Sequence, residues 1–176
     1  MADTIRTRSA IVALLPDNTS GDISPQDLRD FLVSVWSVYG ALSVYNNASS
    51  QSFNTTPSKV TAWAIETSGA GVTVSASTDD ITINTDGVFK VQAGLTLVSL
   101  NATTQYTFHI ALNGVRVSGA SASVEVQSAN DVINLSIVHP VTCVSTDIIS
   151  IYAESDDAGG QNATIQHGQV YVERIY

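Results

Sequence analysis

Basic residues are scarce in this chain of 176 residues. Seven Lys and Arg stand against sixteen Asp and Glu, which gives a net charge of −9. The basic residues are also scattered along the chain instead of being clustered. No basic face is therefore available to neutralise a phosphate backbone, and we expect no nucleic-acid partner.

Long hydrophobic runs are missing as well. No stretch approaches the ~20 apolar residues that a transmembrane helix needs. The short apolar run that follows Arg6 and Arg8 ends at Pro16, which argues against a secretory signal peptide. We therefore expect a protein that is made in a cytoplasm without membrane insertion.

The residues that usually carry catalysis are few and do not cluster. Cys143 is the single cysteine, so there is no intrachain disulfide and no paired-cysteine metal site, and its aliphatic neighbours predict a small buried side chain. His109, His139 and His167 lie on different predicted strands or turns and not at ligand spacing. Cys143 with His139 is a weak nucleophile–base candidate, because no activating cation is near it. We predict no catalytic residue, no metal and no cofactor, and hence not an enzyme.

Acidic residues do cluster at two predicted loops. Asp79 is followed by Asp80, and Glu154 precedes Asp156 and Asp157. Carboxylates of this kind offer oxygen ligands to calcium, but no EF-hand pattern accompanies them. Solvated loop carboxylates are the favoured interpretation.

One convincing helix is predicted, over residues 24–40. Ser24 can cap its first turn, Pro25 has the φ that the first helical position needs, and Asp27 stands three residues after the cap, as in a capping box. Gly40 offers a left-handed exit at the other end. Local signals thus define both ends of the predicted helix.

This helix carries an apolar stripe that is wider than a single contact would hide. A helix of this length is marginal in water, so its stability requires partners. Those partners are its own β domain, sister protomers or another protein. The residues at helical spacing are Leu28, Phe31, Leu32, Val35, Trp36 and Tyr39.

The rest of the sequence indicates strands. Charged residues make up only 13% of the chain, and beyond residue 59 apolar and polar residues alternate between frequent turn signals. We predict nine or ten strands, with a long central strand over residues 88–100 and a tight hairpin at Asn113-Gly114. So many short antiparallel strands imply a sandwich or a closed barrel.

Three segments follow from these patterns. Residues 1–40 form an N-terminal arm and helix, which we assign to attachment or assembly. Residues 41–58 are rich in Ser, Asn and Thr and are predicted to be a linker. Residues 59–176 form the β head.

The head has a family resemblance. The segments ITINTDGVFKVQAGLTL, YTFHIALNG and the terminal QVYVERIY resemble the jelly roll of the C1q and tumour-necrosis-factor (TNF) superfamily, as bacteriophage virion proteins use it. The resemblance implies a mainly β fold, a C-terminal jelly-roll sandwich preceded by the arm and one α-helix. It also implies a homotrimer whose interface includes Tyr152, Tyr171 and Tyr176.

The N-terminal segment has a second resemblance. IRTRSAIVALLPDNTSGDISPQDLRDFLVSVW is similar to the segment that precedes the variable body of many phage tail-fibre, head-fibre and capsid-decoration proteins. This implies that the arm and the helical stripe dock on the virion, through a major capsid protein or another virion protein. The arm residues assigned to docking are Ile5, Ile11, Leu14 and Leu15.

Together these resemblances predict a homotrimeric capsid decoration (cement or head-fibre) protein located in the virion and assembled in the host cytoplasm. The short chain and the lack of a shaft favour decoration. The main alternative is a tail-fibre or receptor-binding protein that recognises a host surface glycan or protein. More distant alternatives are a secreted C1q-like lectin or ligand and a small hydrolase on a jelly roll.

Overall fold

The computed structural model describes residues 10, 24–36, 38–45, 50–61, 63–69 and 71–175. Helix α1 spans Pro25–Trp36. The Ser24 backbone N–H donates to Asp27 Oδ2 (2.9 Å), and the Asp27 N–H donates to Ser24 Oγ (3.2 Å). These two bonds confirm the predicted capping box. No helix in the described part of the chain is long and apolar enough to cross a membrane.

Twelve strands follow the helix in the described residues. They are β1 Tyr39–Tyr45, β2 Ser50–Phe53, β3 Ser58–Lys59, β4 Ala64–Ser68, β5 Val72–Ser75, β6 Asp80–Ile83, β7 Gly87–Ser99, β8 Thr104–Leu112, β9 Val115–Val126, β10 Val132–Cys143, β11 Ile148–Ser155 and β12 Gln161–Arg174.

The strands form two six-stranded sheets. The first has the order β10-β7-β12-β1-β4, with β2 also paired to β12. The second has the order β5-β6-β11-β8-β9, with β3 also paired to β11. All pairings are antiparallel. The chain passes repeatedly from one sheet to the other, so strands that are neighbours in sequence often lie in different layers.

The hydrophobic core lies between the two sheets. Strand β7 alternates buried and partly exposed residues along most of its length, and it lies between β10 and β12 as the predicted central strand should. Phe53 packs edge to face against Tyr106 and Phe108, with ring centroids 6.3 and 6.0 Å apart. The predicted jelly-roll sandwich, preceded by helix α1, is confirmed.

The Asn113-Gly114 hairpin is confirmed too. Both residues have positive φ, 52° and 77°, as the tight two-residue turn between β8 and β9 requires. The Asn113 side chain also accepts a hydrogen bond from the Ile148 N–H at 2.9 Å, which ties the turn to β11.

Two predicted boundaries are wrong. The helix ends at Trp36 and not at Tyr39, and Gly40 is a buried strand residue with no left-handed backbone. The segment 41–58 is not a linker, because its described residues supply part of β1, all of β2 and the start of β3. Strand β1 is inserted between β12 and β4, where its backbone groups are paired on both sides. The β domain therefore begins before residue 41.

Candidate assembly surfaces

One candidate surface is the side of the first sheet that faces away from the core. We call it the outer face of the first sheet. Cross-strand register brings its residues together: Glu173 lies opposite both Lys90 and Tyr39, and Gln92 lies opposite both Val138 and Tyr171. Its apolar part is partly open to solvent, and Val138 is 59% exposed. The residues that define the face are Tyr39, Lys90, Gln92, Gly94, Val138, Tyr171 and Glu173.

An ion pair crosses this face. Lys90 Nζ lies 2.7 Å from Glu173 Oε2 and 5.9 Å from the centroid of the Tyr171 ring. The hydrogen bond that Lys90 donates to Glu173, reinforced by the Glu173 charge, raises the pKa of Lys90. Burial is the first cause that raises the pKa of Tyr171, and the Glu173 charge adds to it. At neutral pH Lys90 is therefore an ammonium and Tyr171 a neutral phenol.

A shallow depression of about 460 Å³ interrupts the same face. At Gly94, which lines the depression, an added Cβ would meet no atom within 4 Å. Two polar side chains that line the depression are hydrogen-bonded to each other: Gln169 Nε2 donates to Glu66 Oε2 at 3.2 Å. Space of this kind accepts a protruding side chain of a partner. The residues lining it are Ser43, Glu66, Gly94, Leu95, Thr96, His167, Gly168 and Gln169.

The predicted interface tyrosines do not share a face. Tyr171 lies on β12 in the first sheet, whereas Tyr152 lies on β11 in the second sheet. The two tyrosines thus lie in different layers of the sandwich, and a threefold contact joins two different surfaces of each protomer. The assignment of Tyr152 and Tyr171 to a trimer interface stays a prediction. Tyr176 lies outside the described residues.

Helix α1 is the second candidate surface. Leu28 is 53% exposed and Leu32 is 42% exposed, and Phe31 is partly buried. Asp30, by contrast, is only 1% exposed and accepts a hydrogen bond from Gln26 Nε2 at 2.7 Å. Part of the predicted apolar stripe thus remains open on this chain.

The other predicted docking residues fall in three places. Val35 and Trp36 lie in the last turn of α1. Tyr39 is the first residue of β1 and belongs to the outer face of the first sheet, so it does not continue the helical stripe. Ile5, Ile11, Leu14 and Leu15 lie outside the described residues.

The acidic clusters make structural contacts. Asp80 pairs with Lys59 Nζ at 2.6 Å and accepts a hydrogen bond from Ser150 Oγ at 2.7 Å. Asp79 Oδ1 accepts from the Trp63 N–H at 2.9 Å. Within the ranges that the structure describes, no group of three or more His, Cys, Asp or Glu side chains is arranged to hold a metal ion.

The second acidic cluster contacts both its own loop and the neighbouring strands β8 and β9. Asp156 Oδ1 accepts from the Gln105 N–H at 3.0 Å, and Asp157 accepts from the Gly159 N–H at 2.7 Å. Glu154 forms an ion pair with Arg116 at 3.3 Å. These contacts account for the carboxylates as loop-fastening groups.

Cys143 is buried, as predicted. Burial, and then the charge of Asp147, raises the pKa of its thiol to about 12. A thiol in that environment is protonated at neutral pH, which opposes a nucleophilic role.

Sequence reasoning missed the contributions of Lys90, Glu173, Val138 and Gly94. The signal for Val138 was present, because in INLSIVHPV it breaks the alternation set by Leu135 and Ile137. An apolar residue on the polar phase of a strand marks a face that is covered by something else. The Lys90–Glu173 pair had no local signal, because its members are brought together only by the pairing of β7 with β12.

No protein-family model matches the chain, and no curated protein matches its sequence. Solved structures do match. The TNF homologue Eiger of S. frugiperda aligns with a TM-score of 0.54 at 10% identity, covering 78% of this chain and 93% of that one. The globular domain of zebrafish complement 1qA aligns with a TM-score of 0.49 at 17% identity, covering 78% of this chain and 98% of that one. The match to Eiger shows the fold alone, and the fold of this chain is thus a TNF-like jelly roll.

Proposed function

We propose that the chain is a non-enzymatic structural protein of a bacteriophage virion, a homotrimer that decorates the capsid. The observation that carries the proposal is the exposed pair Leu28 and Leu32 on α1. They lie four residues apart and therefore on one side of the helix. A capped helix that displays leucines next to a closed β domain is suited to docking on another protein. The resemblance of residues 5–36 to phage attachment segments supplies the identity of that protein, a component of the virion.

Trimer formation is assigned to the outer face of the first sheet. This face combines exposed apolar groups, Val138 and Tyr39, with a depression at Gly94 that can accept a side chain. Interface cores are poor in unpaired charge, and here the two charged groups, Lys90 and Glu173, already neutralise each other. The resemblance to the C1q and TNF superfamily supports three copies.

Decoration would act by mass action and not by chemistry. A trimer that binds neighbouring capsid subunits adds contact area across a seam that internal pressure would open. Any ligand that binds the closed form and not the open form stabilises it in proportion to its binding free energy. The jelly roll then projects outward while the arm and α1 hold it to the surface.

A receptor-binding role is the second candidate, and one observation favours it. The loops that follow β7 and β11 are fastened into one surface: Asp156 accepts from the Gln105 N–H at 3.0 Å, and the Asn162 N–H donates to Asn101 Oδ1 at 3.2 Å. A joined loop surface with exposed Asp and Asn side chains suits a host surface glycan or protein. On this alternative the chain belongs to a tail fibre.

Immunogold labelling of intact particles tests the location. An antibody raised against the β domain is expected to label the whole capsid surface with many copies. Labelling confined to the tail would contradict capsid decoration and favour the receptor-binding role. Particles that carry no label at all would contradict both.

Full-length variants test the docking role of α1. We expect Leu28→Ser combined with Leu32→Ser to reduce occupancy on particles strongly while the circular dichroism of the strands stays unchanged. Val115→Ser is the matched control, because Val115 is also exposed and aliphatic but lies at the hairpin of the β domain. Equal occupancy of the helix variant and the control would rule out docking through these leucines.

A further inference from the structure

His109 is a buried imidazole on the solvent side of the second sheet. Its neighbours in β8, Phe108 and Ile110, point into the core, so the side chain of His109 projects from the opposite face. It is nevertheless only 2% exposed, and its Nδ1 atom is buried without a hydrogen-bond partner among the described residues. A buried unpaired ring nitrogen is costly in either protonation state, so some compensating arrangement must hold it there.

Two side chains lie next to this imidazole. The Tyr152 ring of β11 stacks on it, with centroids 6.0 Å apart and planes inclined by 19°. The Arg116 guanidinium of β9 donates to Ser121 Oγ at 2.8 Å and to Glu154 Oε1 at 3.3 Å. Ser121 lies on β9 and Glu154 on β11, and β8 runs between these strands. The Arg116 side chain therefore crosses over β8 beside His109.

A break in the sheet makes this crossing possible. The pairing of β8 with β9 shifts between His109 and Ala111, so that Ser121 lies opposite His109 while Arg116 lies opposite Ala111. The extra residues of β9 form a bulge that includes Gly119 at a φ of 77°. The bulge allows Arg116 to fold back along the strand toward Ser121.

We propose that the Arg116–Glu154 ion pair is an acid-sensitive cover that opens when His109 takes up a proton. In the neutral state the uncharged imidazole lies beneath the guanidinium without electrostatic conflict. An added proton places a second positive charge beside Arg116 and gives Glu154 a competing cationic partner. Glu154 then turns to the imidazolium, Arg116 is released to solvent, and the Tyr152 ring becomes accessible.

The surrounding charges agree with this direction. Burial, and then the positive charge of Arg116, lowers the pKa of His109, and the Glu154 charge acts in the opposite sense. On β3, Lys59 lies opposite Tyr152 but is already neutralised by Asp80 at 2.6 Å. Arg116 and Glu154 are thus the charged pair that protonation of His109 disturbs. The proposal does not depend on the virion role, because every group in it belongs to one protomer.

Nuclear magnetic resonance of the full chain between pH 7.5 and 4.5 tests the cover. In the wild type we expect the His109 imidazole signal to titrate below pH 6.5, the ordinary histidine value. The amide signals of Arg116, Ser121 and Tyr152 should move with the same midpoint. Titration of His109 alone, without movement of those three amides, would overturn the proposal.

Variants separate His109 from other acid-sensitive groups. His109→Gln should abolish the shared transition, and its persistence would show that another group drives it. His167→Gln is the matched control, since His167 lies in the other sheet, and the shared transition should survive there.

Arg116→Gln, at a partly exposed site, should raise the His109 midpoint. If His109→Gln fails to fold, an unchanged midpoint in Arg116→Gln contradicts the proposal by itself.

Discussion

Two glycines of the first sheet, Gly40 facing the second sheet and Gly94 on the outer face, provide a matched test of the space around each site. A Cβ on Gly40 would lie 2.8 Å from Cγ2 of both Val72 and Val74, well inside van der Waals contact. A Cβ on Gly94 would meet nothing within 4 Å. Neither glycine has a positive φ, so alanine is compatible with the backbone at both sites.

The same substitution should therefore have opposite effects. Gly40→Ala forces branched, buried valines to move, and overpacking of this kind costs ~1–3 kcal/mol of unfolding free energy. Within one protomer, Gly94→Ala restricts the unfolded chain without a native clash, which stabilises the monomer by ~0.4–1 kcal/mol. The difference between the two variants is then about 1.4–4 kcal/mol.

Urea unfolding followed by circular dichroism, at one protein concentration for all forms, measures this difference. Equal concentration matters because association contributes to apparent stability. A Gly40→Ala protein as stable as the wild type would refute the close approach of β1 to β5. A Gly94→Ala protein destabilised at a concentration where it is monomeric would refute the open space at Gly94 within one protomer.

Three further predictions follow from buried groups. Tyr106→Phe should lower the free energy of unfolding in urea by ~0.5–1.5 kcal/mol. The variant loses the hydroxyl's hydrogen bonds to Ser99 Oγ (3.0 Å) and the Asn162 carbonyl (3.1 Å), while Ser99 keeps its hydrogen bond to the Asn101 carbonyl. An unchanged stability would contradict the buried contact. Cys143 should resist a thiol reagent at pH 8 in the native protein and react in denaturant, and rapid native reaction would contradict its pKa of about 12. The lowered pKa of His109 contributes stability that is present above pH 6.5 and lost as the pH falls through the pKa of His109 in the folded protein. The wild type should therefore lose more unfolding free energy than His109→Gln between pH 7.5 and 5. Equal losses would contradict the lowered pKa.

Local signals predicted the parts of the fold that local physics determines. The capping box at Ser24 and Asp27 needs only four consecutive residues, and the tight turn at Asn113-Gly114 needs two residues that tolerate positive φ. The alternation in β7 was visible because one side of that strand faces the core along its length. Each of these predictions was confirmed.

Strand β1 was missed because the strands that pair with it, β12 and β4, are distant in sequence. Tyr39 also fits the helical spacing of the preceding stripe, so the local pattern favoured extending the helix. Gly40 then resembled a helix exit, although its actual role is to permit close approach to Val72 and Val74.

The candidate surface was predicted only in part. Period-two alternation indicates which side of a strand is polar, but it does not indicate the sheet to which the strand belongs. Strands β11 and β12 are consecutive, yet they lie in opposite layers, and alternation alone could not show that Tyr152 and Tyr171 belong to different sheets. The position of Arg116 beside His109 depends on the bulge in β9, and no local sequence pattern predicts that bulge.

The central claim is that three copies of this chain assemble through the outer face of the first sheet. Native mass spectrometry of the full chain tests it directly, together with Gln92→Arg, which places an unpaired charge beside Tyr171 on that face. We predict a wild-type species of about 55 kDa, three times the 18.5 kDa chain, and a monomeric Gln92→Arg protein. A monomeric wild type, or a trimer that survives Gln92→Arg unchanged, would contradict assembly through this face.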